Sequence, residues 1–125
     1  MRILSPRFHG ALDYVAAIVL IVAPFLLGLH HSNMLAMLLS LVLGVALLGY
    51  SMVTDYAYGI TGALSFKIHL IFDTLAGIGA VAAPFIFGFA ATAKWYYIVM
   101  GVGVLIVVAL TDMRVSDETF GMEST

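Results

Sequence analysis

Histidine and aspartate recur in one order along this chain, as His9 with Asp13 and again as His69 with Asp73, each pair four residues apart. On a helix such a pair shares one face, so each imidazole would stand beside a carboxylate. Two further carboxylates, Asp55 and Asp112, each follow a threonine at the end of an apolar run. Neutral imidazole combined with carboxylate suits Zn, Mn or Fe(II), and His9, Asp13, Asp55, His69, Asp73 and Asp112 are the candidate metal set. His9 and His69 could instead ligate a b-type haem from its two faces, with each aspartate fixing the tautomer of its histidine. The plain alternative is an acid–imidazole hydrogen-bond layer that holds parts of the protein together and carries no cofactor. A proton or cation path through the same groups would need polar residues further along their helices, which offer almost none.

Little else in the sequence could do chemistry. Cysteine is absent, which removes disulfides, thiolate metal sites and iron–sulfur clusters. No Gly-x-Gly-x-x-Gly, Walker, His-Glu-x-x-His or Gly-x-Ser-x-Gly pattern occurs, so dinucleotide binding, phosphate binding and serine hydrolysis lack support. His30 and His31 fall in a short turn far from the other two histidines. The five Lys and Arg residues are scattered and the net charge is -2, which argues against nucleic acid as a partner.

The elements that position these residues belong in a membrane. The chain is 63% hydrophobic and only 10% charged, against about 25% charged in an average soluble domain. Four apolar segments, 11–29, 34–53, 70–89 and 95–110, each approach the ~17–25 residues that cross a hydrocarbon core. The connections at 30–33 and 90–94 are so short that each pair of helices must fold back as an antiparallel hairpin. The joint between hairpins, 56–66, is longer and contains Gly59 and Gly62. Arg2, Arg7, Lys67 and Arg114 lie on the side of the termini and only Lys94 on the other, which predicts cytoplasmic termini. Trp95, Tyr96 and Tyr97 then form the far aromatic belt, and Tyr56 and Tyr58 the near one. The last stretch, 114–125, is read as a short cytoplasmic tail.

The two hairpins are copies of one unit. A shift of 60 residues aligns 7–29 with 67–89 and matches eight of 23 positions, among them His9/His69, Asp13/Asp73, Pro24/Pro84 and Gly28/Gly88. A shift of 57 aligns the second and fourth helices and matches Gly44/Gly101, Thr54/Thr111 and Asp55/Asp112. Apolar matches are cheap in such a chain, but polar ones recurring in order indicate duplication. The expected fold is therefore all-α and integral to the membrane, a single domain over 1–125. Repeat one covers 7–56 and repeat two 67–113, related by a pseudo-two-fold axis along the membrane normal. At 1.5 Å per residue His9 lies ~29 Å from Gly28, which puts both histidines near the cytoplasmic interface and both aspartates one turn deeper.

Each repeat closes its first helix with Pro-Phe-x-x-Gly, at Pro24-Phe25-Leu26-Leu27-Gly28 and Pro84-Phe85-Ile86-Phe87-Gly88. Proline frees the carbonyl four residues earlier, and glycine takes the left-handed conformation that stops a helix. This twice-built element, over 7–114, resembles the SPW repeat membrane proteins of bacteria. Ala23-Pro24-Phe25 and Ala83-Pro84-Phe85 stand where that family has Ser-Pro-Trp. The resemblance implies a four-helix protein of the bacterial inner membrane and brings no established activity. From the sequence, the expected role is non-enzymatic, as a structural, accessory or ligand-sensing protein, with metal or haem binding for redox or binding work as the alternative. Its first partner is the lipid bilayer, and a second copy or another membrane protein is the partner class left open.

The layout has a direct test. Reporters fused after Thr125 and within 56–66 should read cytoplasmic, and one inserted at 30–33 periplasmic; a periplasmic C-terminus would overturn it.

Overall fold

Two serines start the helices that carry the histidines. Ser5 accepts a hydrogen bond from the Phe8 amide at 3.1 Å, and Ser65 one from the Ile68 amide at 3.2 Å. Such N-caps satisfy backbone donors that a helix start leaves without partners. The computed structural model describes residues 5–54, 59 and 62–111. Asp55, Asp112, Tyr56, Tyr58, Arg2, Arg114 and the 114–125 tail lie outside the described residues.

Among the described residues the chain forms α1 (Pro6–Leu26), α2 (Leu29–Ser32), α3 (Met34–Met52), α4 (Phe66–Phe87) and α5 (Ala91–Leu110). Four of these, all but α2, are long and apolar enough to cross a membrane. The caps carry α1 and α4 back to residues 6 and 66, ahead of the starts at 11 and 70 that hydropathy suggests, so both histidines stand inside a helix. Hydropathy missed this because Arg7 and Lys67 dilute the apolar run, whereas the serine oxygen marks the start. α5 likewise begins at Ala91 and not at 95.

Both first helices end as the Pro-Phe-x-x-Gly element requires, with Gly28 and Gly88 each at φ 71°. After Gly28 the chain makes one further turn of helix, α2, in place of the open turn expected at 30–33. The His31 and Ser32 amides bond back to the Gly28 carbonyl at 3.0 and 3.1 Å. Asn33 then caps α3 by accepting from the Ala36 amide at 3.0 Å.

Within each hairpin the helices touch through small residues. A β-carbon on Gly44 would lie 2.8 Å from Ile21 and 3.1 Å from the Ala17 carbonyl across the α1–α3 contact. On Gly101 it would lie 2.7 Å from the Gly77 carbonyl and 2.9 Å from the Val81 amide across α4–α5. Close approach of this kind matters in lipid, where burial gives little drive for helices to associate and packing must supply it. Between hairpins the backbones come close mainly where α3 meets α4.

At the end of the bundle opposite the histidines, tyrosines join the hairpins. Ser40 donates to the Leu20 carbonyl at 2.7 Å, which leaves its oxygen to accept from Tyr96 at 2.6 Å. Tyr97 donates to the Ala36 carbonyl at 2.6 Å. Tyr96 and Tyr97 are thus buried, and of the three residues expected to form the far aromatic belt Trp95 alone is exposed. A buried phenol hydroxyl needs a hydrogen-bond partner, which Ser40 and the Ala36 carbonyl supply here.

The glycine contacts predict a graded response. Gly101→Leu should destabilise the protein more than Gly44→Leu, since it meets facing backbone at 2.7 and 2.9 Å against 3.1 Å at Gly44, and the cost of such overpacking is about 1–3 kcal/mol or more. Gly79→Leu should melt like the parent, because a β-carbon there meets nothing within 4 Å. Thermal unfolding in detergent checks the order; equal melting of all three would show that the close contacts do not hold the hairpins.

Candidate functional site

One turn into α1 and α4, four titratable side chains meet where the two hairpins face each other. His9 and His69 are fully buried, and Asp13 and Asp73 are only 6% and 2% exposed. The Nε2 atom of His9 lies 2.8 Å from Asp73 Oδ2 and 3.2 Å from Asp13 Oδ1. The Nε2 atom of His69 lies 2.7 Å from Asp13 Oδ2 and 3.2 Å from Asp73 Oδ2. The i, i+4 pairs expected from spacing are therefore present, but the shorter contact of each histidine is to the aspartate of the other repeat.

The opposite ring nitrogen of each histidine is also held from the other repeat. His9 Nδ1 is 2.7 Å from the Thr111 hydroxyl, and His69 Nδ1 is 2.7 Å from that of Thr54. Each threonine uses its single proton on a carbonyl one turn earlier, Thr111 on Val107 at 2.6 Å and Thr54 on Tyr50. A hydroxyl has one donor, so its oxygen must accept from the histidine. Both imidazoles therefore carry hydrogen on Nδ1, and both turn Nε2 toward the carboxylates. Phe66 covers the cluster, its ring 5.4 Å from that of His9 and 6.0 Å from that of His69.

Tyr50 breaks the symmetry by donating to Asp73 Oδ1. Its counterpart under the 57-residue shift is Val107, which cannot do the same for Asp13. Asp73 thus offers Oδ2 to both histidines, whereas Asp13 divides its two oxygens between them.

One donor atom from each of His9, Asp13, His69 and Asp73 falls within 4.8 Å of the others. Four of the six residues proposed from sequence are thus brought together, and Asp55 and Asp112 lie outside the described residues. The profile of the SPW repeat domain matches residues 7–112. The chain belongs to the SPW repeat family. No curated protein and no solved structure matches it. This SPW repeat protein is a multi-pass membrane protein by its four long apolar helices.

Sequence reasoning did not assign Thr54, Thr111 and Tyr50 to the site. The two threonines were visible as a repeat match, but their reach to the histidines depends on how α3 and α5 end. Tyr50 had no sequence signal, because it occurs in one repeat alone.

The hydrogen count leads to a test. Replacing both Thr54 and Thr111 with Val should cost about 1–3 kcal/mol for each buried Nδ1–H left without an acceptor. Ser at both positions should restore most of the loss. If the double Val variant unfolds at the parental temperature in detergent, the threonines do not orient the rings.

Proposed function

We propose that this SPW repeat protein is a non-enzymatic membrane module, structural, accessory or ligand-sensing, whose His9, Asp13, His69 and Asp73 cluster locks the two hairpins together. The observation that carries this is the crossed bonding, in which the nearest partners of each histidine on both ring nitrogens come from the other repeat. Two Nε2 atoms facing two carboxylates need two positive charges between them. Two protons meet that need, giving two imidazolium–carboxylate pairs of zero net charge, which is the form a buried group in a membrane requires. The basic residues around the termini support an orientation with this end toward the cytoplasm, across a bacterial inner membrane. A second copy or another membrane protein is the partner class in keeping with an accessory role.

A specific observation favours one second reading. The four donor atoms converge within 4.8 Å, and threonine fixes each Nδ1–H so that Nε2 is the nitrogen offered. That is how metal-ligating histidines are held by outer partners. One divalent cation such as Zn, Mn or Fe(II) would replace the two protons without changing the net charge. A haem between His9 and His69 has less support, since its flat ring must separate the two imidazoles, whose centroids are 5.7 Å apart and which share both carboxylates.

Metal analysis and an absorption spectrum of protein purified without a histidine tag separate these readings. The lock predicts neither stoichiometric metal nor a Soret band, and a lower melting temperature for the His9→Gln, His69→Gln double variant. A full equivalent of metal in the parent, lost in that variant and removed by chelator with a fall in parental stability, would replace the lock with a metal centre.

A further inference from the structure

Next to the cluster, the middle of the bundle is hollow. A cavity of about 490 Å³ runs between the two hairpins, lined by residues of all four long helices. It lies on the pseudo-two-fold axis, for its walls come from matched positions of the two repeats: Ala16 with Ala76, Leu20 with Ala80, and Ala46 with Gly103. The four alanines and Gly103 among them are small, and that is what keeps it open. Along α1 its lining runs from Leu12 to Leu20, which is ~12 Å of helix rise. One end is formed by Asp13, Asp73 and Tyr50, and the rest of the lining is apolar. Val15 of α1 and Val99 of α5 belong to its lining and are 56% and 66% exposed, so the edge of the cavity reaches the lipid-facing surface at these helices.

We propose that this cavity binds a single-chain membrane amphiphile with a neutral hydroxyl head, a long-chain alcohol in chemical class. Its volume and its mostly apolar lining with a few polar groups at one place match small-molecule sites, which span ~300–1,000 Å³. The head must donate a hydrogen bond, because the groups that end the cavity are two carboxylates and a phenol whose proton already goes to Asp73. Carboxylate oxygens accept more than one bond, so the cluster can take a hydroxyl without giving up its histidines. An ammonium head would add charge to a cluster already compensated, by protons or by a cation, and a carboxylate head would meet carboxylates. A plain acyl tail would fill the apolar part and leave the polar end unmatched. The lateral opening at Val15 and Val99 lets the ligand enter from the bilayer, with its chain trailing back into lipid.

Native mass spectrometry of the full chain released from detergent, with 1-decanol added, tests this. The expected result is a 1:1 adduct, with methyl decanoate, which has no donor, binding weaker by about tenfold, the size of one hydrogen bond. A β-carbon on Gly103 meets nothing within 4 Å, so Gly103→Phe should fold, fill the cavity and abolish the adduct. Gly79→Phe, equally unhindered but outside the cavity lining, should keep it. Absence of a decanol adduct, or equal binding of decanol and methyl decanoate, would overturn the proposal. So would an adduct that persists in Gly103→Phe while the variant melts like the parent. The melting temperature and metal content measured without additive report on the hairpin lock, so failure of that reading is seen separately from failure of this one.

Discussion

A carboxylate placed among apolar helices must find its compensation inside the protein, because hydrocarbon supplies none. Asp13 and Asp73 impose that demand on this bundle, and much of its architecture can be understood as the response. Each carboxylate reaches the histidine of its own helix and that of the other repeat. The histidines in turn need acceptors for their second nitrogens, which come from threonines at the ends of α3 and α5. The chain of dependence therefore runs through every long helix. Apolar packing alone would not do this, since in lipid the side chains of separated helices are as well solvated as those of joined ones.

The bundle divides its tasks by depth. Glycine contacts hold each hairpin internally, the His/Asp cluster joins the hairpins at one end, and Tyr96 and Tyr97 join them at the other. Between these two ties the hairpins stand apart around small side chains, and the cavity is what remains. A fold held at its ends by directional bonds can tolerate a hollow middle in a way that one relying on continuous packing cannot.

Much of this was legible in the sequence, and for identifiable reasons. The repeat made His9, Asp13, His69 and Asp73 conspicuous, and the i, i+4 spacing put each pair on one face. The Pro-Phe-x-x-Gly elements announced both helix ends, and Gly44 and Gly101 announced the close contacts. What escaped depends on distance in space. The preference of His9 for Asp73 over Asp13 follows from how two helices lie against each other, and no spacing within one helix encodes it. Tyr96 and Tyr97 carry the same chemistry as belt residues, so their inward turn could be known only once Ser40 and the Ala36 carbonyl were placed opposite them. The helix starts were missed for a simpler cause, since a hydropathy window weighs Arg7 and Lys67 more heavily than one capping serine.

The crossed bonding of the two repeats bears on ancestry. A single hairpin with histidine, aspartate and threonine at these positions cannot complete its own cluster, yet it is complementary to a second copy of itself about a true two-fold axis. Joining two such copies in one chain would turn a concentration-dependent dimer into an intramolecular assembly and free the halves to drift apart. Tyr50 and Val107 record one such divergence: a hydroxyl that a symmetric dimer would carry twice, or not at all, is present once.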